Sequence, residues 1–368
     1  MVTIRSRAEY YCNRTQASRI RVGGDGTVDA AETVGGAATV GGTDRAAEFA
    51  GTAPPPVERS VVSVNGRVAA GLFVLLGLLW GSSFVAIEVG LAYFPPLQFA
   101  ALRFFLAGLI VLGYAAVSTD YWRPHSRTDW TLVGVSGGLL IGAHHAFLYL
   151  GQEHVPGAVA AIVISLGPVL TALFATGILG DRISPLGVLG FGFGFLGVGL
   201  VARPDPSALL SSDVVGVATV LVASACFALG AVLTRPFSSD IPARTLQAWA
   251  MLFGAALLSV AGVATGESLA TIEWSGVAVG SLLYLAVVSG AGAFLIYFEL
   301  LGCFGPTQIN LIGYLEPVSA TLLSWAFLGQ LIDAVTALGF VSIFAGFALI
   351  KRRALGELVA GARDGSAE

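Results

Sequence analysis

Residues Gly313 to Gln330 read GYLEPVSATLLSWAFLGQ, and their pattern indicates the class of protein. The stretch is apolar and long enough to cross a membrane as a helix, yet it holds the acid Glu316 directly before Pro317. Because proline has no backbone N–H, Pro317 leaves the carbonyl of Gly313, one turn earlier, without its helical partner. A carboxylate is costly in the hydrocarbon layer, so Glu316 is a candidate functional residue.

The composition of the 368-residue chain is that of a membrane protein. Hydrophobic residues make up 55% of the chain and charged residues 11%, whereas a soluble domain has about 25% charged residues. Apolar runs of about 20 residues recur, and each would span roughly 30 Å of hydrocarbon as a helix. The three cysteines have neither metal-ligand nor disulfide spacing. We therefore predict an all-α integral membrane protein with no metal and no cofactor.

Ten membrane-spanning helices are predicted after a polar first segment. Residues 1–66 lack apolar periodicity and are rich in glycine, alanine and threonine, so we expect a disordered tail. Residues 354–368 are expected to form a C-terminal tail. The predicted spans are Val68–Ala92, Leu97–Val117, Thr131–Gly151, Ala158–Leu179, Leu186–Ala202, Val214–Thr234, Leu246–Thr265, Val277–Leu300, Gln308–Leu328 and Ala334–Ile350.

The sequence also contains an internal repeat. Pro317 follows Pro168 by 149 positions, and Gly329 follows Gly180 by the same 149. The apolar residues around the prolines, and glycines of the next span, match at this offset. An unchanged offset across two helices and a loop predicts two related halves of five helices each.

An odd number of helices in each half means that the second half enters the membrane inverted. Short loops that are rich in arginine or lysine stay in the cytoplasm. All the basic residues near span ends except Arg203 fall on one side: Arg59, Arg67, Arg123, Arg127, Arg182, Arg235, Arg244, Lys351, Arg352 and Arg353. We therefore expect residues 67–203 and 204–353 to form two inverted repeats in the cell membrane, with both termini cytoplasmic.

Four short motifs resemble those of a known family. They are Trp80-Gly81-Ser82-Ser83-Phe84, Leu102-Arg103-Phe104, Gly167-Pro168 with Gly180-Asp181-Arg182, and Leu315-Glu316-Pro317-Val318. In this order and spacing the chain resembles the EamA-type members of the drug/metabolite transporter superfamily. The resemblance implies a secondary transporter with a central cavity between its halves. The family usually has glutamate where this chain has Asp181 and Gln330, and Gln330 carries no charge.

The two repeated prolines indicate where the substrate site should lie. Inverted-repeat transporters bind substrate near the membrane midplane, where interrupted helices free backbone groups. Pro168 and Pro317 would each interrupt a helix and free one carbonyl, at Ile164 and at Gly313. A proline kink that serves packing alone is the alternative interpretation.

Two more charged residues lie inside predicted spans. Glu88 and Arg103 would each be roughly 7–10 Å from the outer end of their helix, so we expect them to form an ion pair. Arg103 would instead bind substrate if the cargo were anionic, because a guanidinium fork matches carboxylates and phosphates. Glu316 is the leading candidate for coupling, since the first half has Gly167 at the equivalent position.

Polar and aromatic side chains complete the predicted substrate site. His144, in the third span, is of a type that titrates near neutral pH and could carry a proton, although a buried histidine is more often simply hydrogen-bonded. The other residues expected to line the cavity, beside Arg103 and Glu316, are Trp80, Ser83, Tyr149, Asn310 and Tyr314. Helix packing is the alternative role for each of them.

The sequence favours a transporter over an enzyme or a nucleic-acid-binding protein. It has no HExxH, no phosphate-binding GxxxxGK[ST], no nucleophile elbow and no basic patch. We expect a small metabolite or amphipathic compound to be moved by efflux or exchange, with proton coupling open, by a monomer or homodimer. A nucleotide-sugar or lipid-linked carrier is the alternative within the superfamily, and a membrane sensor is the alternative outside transport.

Overall fold

The computed structural model describes residues 66–203, 211–309 and 311–364, which form helices joined by short loops, with no strand in these ranges. The α-helices are α1 Gly66–Leu91, α2 Pro96–Ser118, α3 Arg127–Val135, α4 His144–Gln152, α5 Gly157–Ile164, α6 Gly167–Leu179, α7 Pro185–Ala202, α8 Ser212–Leu233, α9 Ala243–Ala264, α10 Gly276–Leu283, α11 Ala293–Ile309, α12 Ile312–Leu328 and α13 Ala334–Asp364. The tail that we predicted to be disordered lies outside the described residues, except for Gly66.

Two helices contain a wider, π-helical stretch. Ser136–Ala143 joins α3 to α4, and Tyr284–Gly292 joins α10 to α11. The first stretch packs on α9, where a Cβ built on Gly137 would lie 2.8 Å from the carbonyl oxygen of Ala250. The second stretch packs on α2, where a Cβ built on Gly290 would lie 3.0 Å from the Cβ of Ala107.

Within the described ranges, 8 helical stretches are long and apolar enough to cross a membrane, by length and composition. They are Val68–Leu91, Pro96–Ser118, Arg127–Gln152, Gly157–Leu179, Pro185–Ala202, Ser212–Leu233, Ala243–Ala264 and Gly276–Leu301. A shorter apolar stretch, Ala334–Ile350, forms the first part of α13, and α12 has 17 residues. The described part of the chain is therefore all-helical and has the helices of a multi-pass membrane protein, while the count of ten spans stays a prediction.

The repeated glycines end their helices in the same way. Gly180 ends α6 with φ 73°, and Gly329 ends α12 with φ 68°. This left-handed conformation costs glycine little because it has no Cβ, and it is a common way to end an α-helix. The offset found in the sequence therefore corresponds to matching helix ends.

Glycines bring α7 and α13 into close contact. A Cβ built on Gly190 would lie 2.5 Å from the carbonyl oxygen of Gly346, and one on Gly197 would lie 2.5 Å from that of Gly339. The earlier glycine of α7, Gly190, contacts the later glycine of α13, Gly346, so the two helices run antiparallel. Small residues at such a contact let the backbones of membrane helices approach closely.

A second glycine contact places α1 against α12. A Cβ built on Gly77 would lie 2.6 Å from Cγ of Leu315, and one on Gly81 would lie 2.7 Å from the carbonyl oxygen of Glu316. The two glycines are four residues apart and so share one face of α1. The helix that carries Glu316 is thus held against α1.

Candidate functional site

The fourth predicted span is interrupted next to its proline. α5 ends at Ile164 and α6 begins at Gly167, with Pro168 in its first turn. The carbonyl oxygen of Ile164 accepts a hydrogen bond from Oγ of Ser224 in α8, at 3.3 Å. The backbone group that the proline leaves free is therefore bound by a side chain from the other half of the sequence.

The helix around the second proline behaves differently. α12 runs through Pro317, and the chain turns upstream, at Leu311, between α11 and α12. The interruption expected at Pro317 is therefore displaced toward the N-terminus of this helix. Asn310, one of the predicted binding residues, lies outside the described residues.

Glu316 lies on the inward face of α12. Gly313 and Ala320, three and four residues away, lie on the same face. Ala320 is fully buried, whereas Val318 and Leu322 on the opposite side are 42% and 56% exposed. Within the described part of the chain no group hydrogen-bonds the half-buried Glu316 carboxylate, and a Cβ added at Gly313 would meet nothing within 4 Å. The inward face of α12 therefore combines a carboxylate with open space.

Tyr314 points away from this face. Its ring packs against Phe347 and Phe344 of α13, with centroid distances of 4.3 and 5.3 Å. The phenol is buried, and among the described residues its hydroxyl has no hydrogen-bond partner. The structure thus brings Tyr314 to α13 and not to the Glu316 carboxylate.

Trp80 and Ser83 lie on α1 and are engaged in local contacts. The Trp80 ring packs against Phe294 and Tyr297 of α11, at centroid distances of 5.4 and 5.5 Å. The Ser83 hydroxyl donates to the carbonyl oxygen of Trp80 at 2.6 Å. The Ser83 hydroxyl hydrogen is therefore used within its own helix.

The predicted ion pair between Glu88 and Arg103 is wrong. The Glu88 carboxylate accepts a hydrogen bond from the backbone N–H of Gly157 at 2.7 Å and another from the amide of Gln330 at 2.6 Å. Gly157 is the first residue of α5, and the first N–H groups of a helix lack helical partners and attract negative charge. Glu88 thereby joins α1, the start of α5 and the loop after α12.

Arg103 is instead buried beside Tyr149. Its side chain is 5% exposed, and Nη1 donates to the Tyr149 hydroxyl at 3.2 Å. The guanidinium carbon lies 4.9 Å from the centroid of the Phe104 ring. Tyr149 is fully buried, with its ring edge-on to Phe99 at 5.6 Å. A cation from α2 is therefore held by an aromatic hydroxyl from α4.

Two histidines complete this group. Nδ1 of His144 lies 2.9 Å from the carbonyl oxygen of Ala223 in α8, and Nδ1 of His145 lies 2.9 Å from that of Ile141. Since a carbonyl can only accept, each Nδ1 carries a hydrogen. The His145 ring is 4.2 Å from that of Phe104 and 4.5 Å from that of His144. We call Arg103, Phe104, His144, His145 and Tyr149 the Arg103 cluster.

Sequence reasoning missed the polar contacts that tie the loops together. Arg203, the exception to the charge rule, forms an ion pair with Asp333. The backbone N–H of Thr336, together with the Arg203 guanidinium and the N–H of Val335, lowers the pKa of Asp333 to about 2. The charge of Arg203 is therefore balanced by an acid in a loop that we predict to lie on the same side of the membrane.

Comparison with known families decides which class of protein this is. Residues 67–203 match the EamA-like transporter family, and residues 214–352 match it a second time. The chain belongs to the EamA-like transporter family. The resemblance seen in the short motifs is thus confirmed, and this family member contains two copies of the family's unit.

The relatives of this EamA family member are named as transporters. It is 26% identical over 77% of its length to "Uncharacterized transporter YvbV" of Bacillus subtilis (strain 168), covering 91% of that protein. It is 26% identical over 75% of its length to "Uncharacterized inner membrane transporter YedA" of Escherichia coli (strain K12), covering 88%. A third relative, 25% identical over 78% of the chain and 95% of its own length, is named "Probable terminal-alkyne amino-acid exporter" and comes from Streptantibioticus cattleyicolor.

A solved crystal structure shares the fold. It aligns with 77% of this chain and 96% of its own, with a TM-score of 0.55 and 22% sequence identity. At that identity the likeness concerns the helical architecture alone.

Proposed function

We propose that this EamA family member is a secondary transporter that exports or exchanges a small metabolite across the cell membrane by alternating access. The observation that carries the proposal is Glu316, an acid on the inward face of α12 that has no hydrogen-bond partner among the described residues and lies near open space at Gly313. Ionisable residues inside membrane helix bundles are costly and mark substrate or proton pathways. We assign Glu316 to substrate binding or proton coupling.

The name of one relative supports an amino acid as the cargo. That relative is named "Probable terminal-alkyne amino-acid exporter". An amino acid carries an ammonium group, which suits the Glu316 carboxylate as a partner. We therefore place amino acids and related metabolites first among the candidate substrates, and export first among the directions.

We further propose ten spans in two inverted repeats. In the repeat, Gly190 corresponds to Gly339 and Gly197 corresponds to Gly346, each 149 positions further on. The contacts exchange these partners: Gly190 contacts Gly346, and Gly197 contacts Gly339. Between these contacts, Oγ of Ser342 donates to the carbonyl oxygen of its own counterpart, Phe193, at 2.7 Å. Contacts that are reciprocal between counterparts are typical of two-fold symmetry. The antiparallel course of α7 and α13 fits halves that enter the membrane in opposite directions.

Flux from proteoliposomes tests the proposal. Vesicles are loaded with a mixture of common amino acids, small organic acids and a nucleotide sugar, and the external solution is followed by mass spectrometry. We expect at least one amino acid or organic acid to leave faster than from protein-free vesicles. Selective loss of the nucleotide sugar would favour the alternative carrier, and no protein-dependent loss of any component would count against transport of these cargo classes.

The role of Glu316 is tested in the same vesicles with Glu316→Gln. We expect the variant to insert and unfold like the wild type but to lose most of the flux or its pH dependence, because the carboxylate charge is gone. Glu273→Gln, which removes an exposed acid in the loop before α10, is the matched control and should keep its flux. Unchanged flux and an unchanged pH profile in Glu316→Gln would remove Glu316 from the mechanism.

A further inference from the structure

Among the residues that the structure describes, no acidic side chain pairs with the buried cation Arg103. We infer that it binds an anionic group, a carboxylate or a phosphate, of the transported metabolite, with Tyr149 as the residue that positions its guanidinium. The inference rests on the proposed transport function, since it names the class of substrate.

The first observation is the environment of the charge. Arg103 is 5% exposed and is the eighth residue of α2, so it lies about 10 Å along the helix from its first residue. Removing a charge from water is costly unless an opposite charge or several hydrogen bonds compensate it. Within the described ranges, no carboxylate pairs with Arg103.

The second observation is the number of unused donors. A guanidinium has five N–H groups, and Arg103 uses Nη1 for one hydrogen bond, to the neutral Tyr149 hydroxyl. The Nε atom is buried and, among the described residues, has no acceptor. The Phe104 ring, 4.9 Å away, attracts the cation with its face but offers no acceptor for an N–H. A carboxylate or phosphate would supply both the charge and the missing acceptors.

The third observation is that the neighbouring polar groups cannot take this role. The Glu88 carboxylate, which we had expected to pair with Arg103, is bound by Gly157 and Gln330. His144 and His145 each present an N–H to a carbonyl and carry no negative charge. In the described part of the chain, the polar groups around Arg103 are therefore neutral or potentially cationic, which favours a ligand with negative charge.

Binding is tested with the purified full-length protein in detergent, where both faces are open to solute. The probes are amino acids, small carboxylic acids and phenyl phosphate, each beside a neutral counterpart: the amino-acid amide, the carboxamide or phenol. The readout is the shift of the thermal unfolding midpoint with probe concentration, which reports binding to the folded state. We expect at least one anion to stabilise the wild type more than its neutral counterpart, and the carboxylate and phosphate arms separate the two chemistries.

Four variants locate the effect. In Arg103→Gln the apparent affinity for that anion should fall by about tenfold or more, as expected when one partner of a buried charge pair is removed. Arg103→Lys should retain part of it, because the charge remains and the fork is lost. Tyr149→Phe should lower the apparent affinity for the anion and leave that for its neutral counterpart unchanged. Arg127→Gln, which removes an exposed charge at the start of α3, should change nothing.

The stability of the ligand-free variants separates binding from a structural role. If Arg103 serves binding, Arg103→Gln without ligand should unfold at or above the wild-type temperature, because an uncompensated charge has been removed. A large loss of ligand-free stability, equal stabilisation by the neutral counterparts, or no stabilisation of the wild type by any anion would each overturn the inference. Flux of a neutral cargo with no anion binding would overturn it while leaving transport intact. Binding that depends on Arg103 without flux would support it and count against transport.

Discussion

Glu88 shows how a carboxylate within a membrane span can be satisfied by groups that the sequence does not mark. One of its partners is the backbone N–H of Gly157, which is available because α5 begins there. The other is Gln330, which is 242 positions away along the chain. We predicted Arg103 as the partner from its charge and its expected depth in the membrane. A sequence shows which side chains are charged, but it does not show where a helix begins and leaves backbone N–H groups free.

The first prediction concerns the stability that this contact provides. Glu88→Ala should lower the free energy of unfolding by about 1–3 kcal/mol, because the N–H of Gly157 and the Gln330 amide would be left without an acceptor. Glu88→Gln keeps one carbonyl oxygen as an acceptor and should lose less. Denaturant titration of the purified protein measures both. If the alanine variant is as stable as the wild type, the contact contributes no stability.

The sequence identifies candidate site residues but does not show which of them lie together in the folded protein. Arg103, Tyr149 and His144 were all predicted for the substrate site, and the structure places them in one cluster. Tyr314 was predicted for the same site, but it packs on α13. Composition identifies polar residues in apolar spans, whereas the rotation of each helix about its axis depends on neighbours that are distant in the sequence.

At the scale of elements, the start of α13 depends on Asp333. The second prediction is that the stability contributed by Asp333 is complete above its unfolded pKa of about 4 and is lost as the pH falls toward its folded pKa of about 2. The difference in unfolding temperature between the wild type and Asp333→Asn should therefore shrink from about pH 5 to about pH 3. A difference that stays constant over this range would show that the Asp333 charge is not involved.

The glycine contact between α7 and α13 gives the third prediction. Gly197→Ala should cost about 1–3 kcal/mol of unfolding free energy, because its Cβ would lie 2.5 Å from the Gly339 carbonyl oxygen. Gly192→Ala, in the same helix, is the matched control, since a Cβ there meets nothing within 4 Å. Chemical denaturation of both variants measures the difference, and equal effects would mean that the two helices separate easily.

Helix ends were predicted from the sequence more closely than helix irregularities. Most predicted spans begin and end within about four residues of the observed helices, because apolar length, proline and glycine mark the ends. Two predicted ends are wrong: α11 continues past Leu300 to Ile309, and α13 continues past Ile350 to Asp364, into the expected C-terminal tail. The two repeated prolines looked equivalent, but α12 continues through Pro317 while α5 and α6 are separated before Pro168. At the first site, Ser224 of α8 donates a hydrogen bond to the freed carbonyl of Ile164, a contact that the sequence alone does not show.

For the whole molecule, the basic loops make a prediction about orientation. With Cys12, Cys226 and Cys303 replaced by serine, a cysteine introduced at Thr271 should react with a membrane-impermeant thiol reagent in intact cells. One introduced at Ser238 should react only after the cells are permeabilised, because its loop lies between Arg235 and Arg244 and is predicted to be cytoplasmic. Labelling in the reverse order would invert both repeats and place the termini outside.

The two π-helical stretches lie at the same place in the two copies of the EamA unit. At the repeat offset of 149 positions, Ser136–Ala143 corresponds to residues 285–292. These residues lie within the second π-helical stretch, Tyr284–Gly292. A wide turn of this kind is rare, and it reflects an extra residue inserted into an α-helix. Both copies of the EamA unit therefore have the wide turn at the same place, whereas they differ at Gly167 and Glu316.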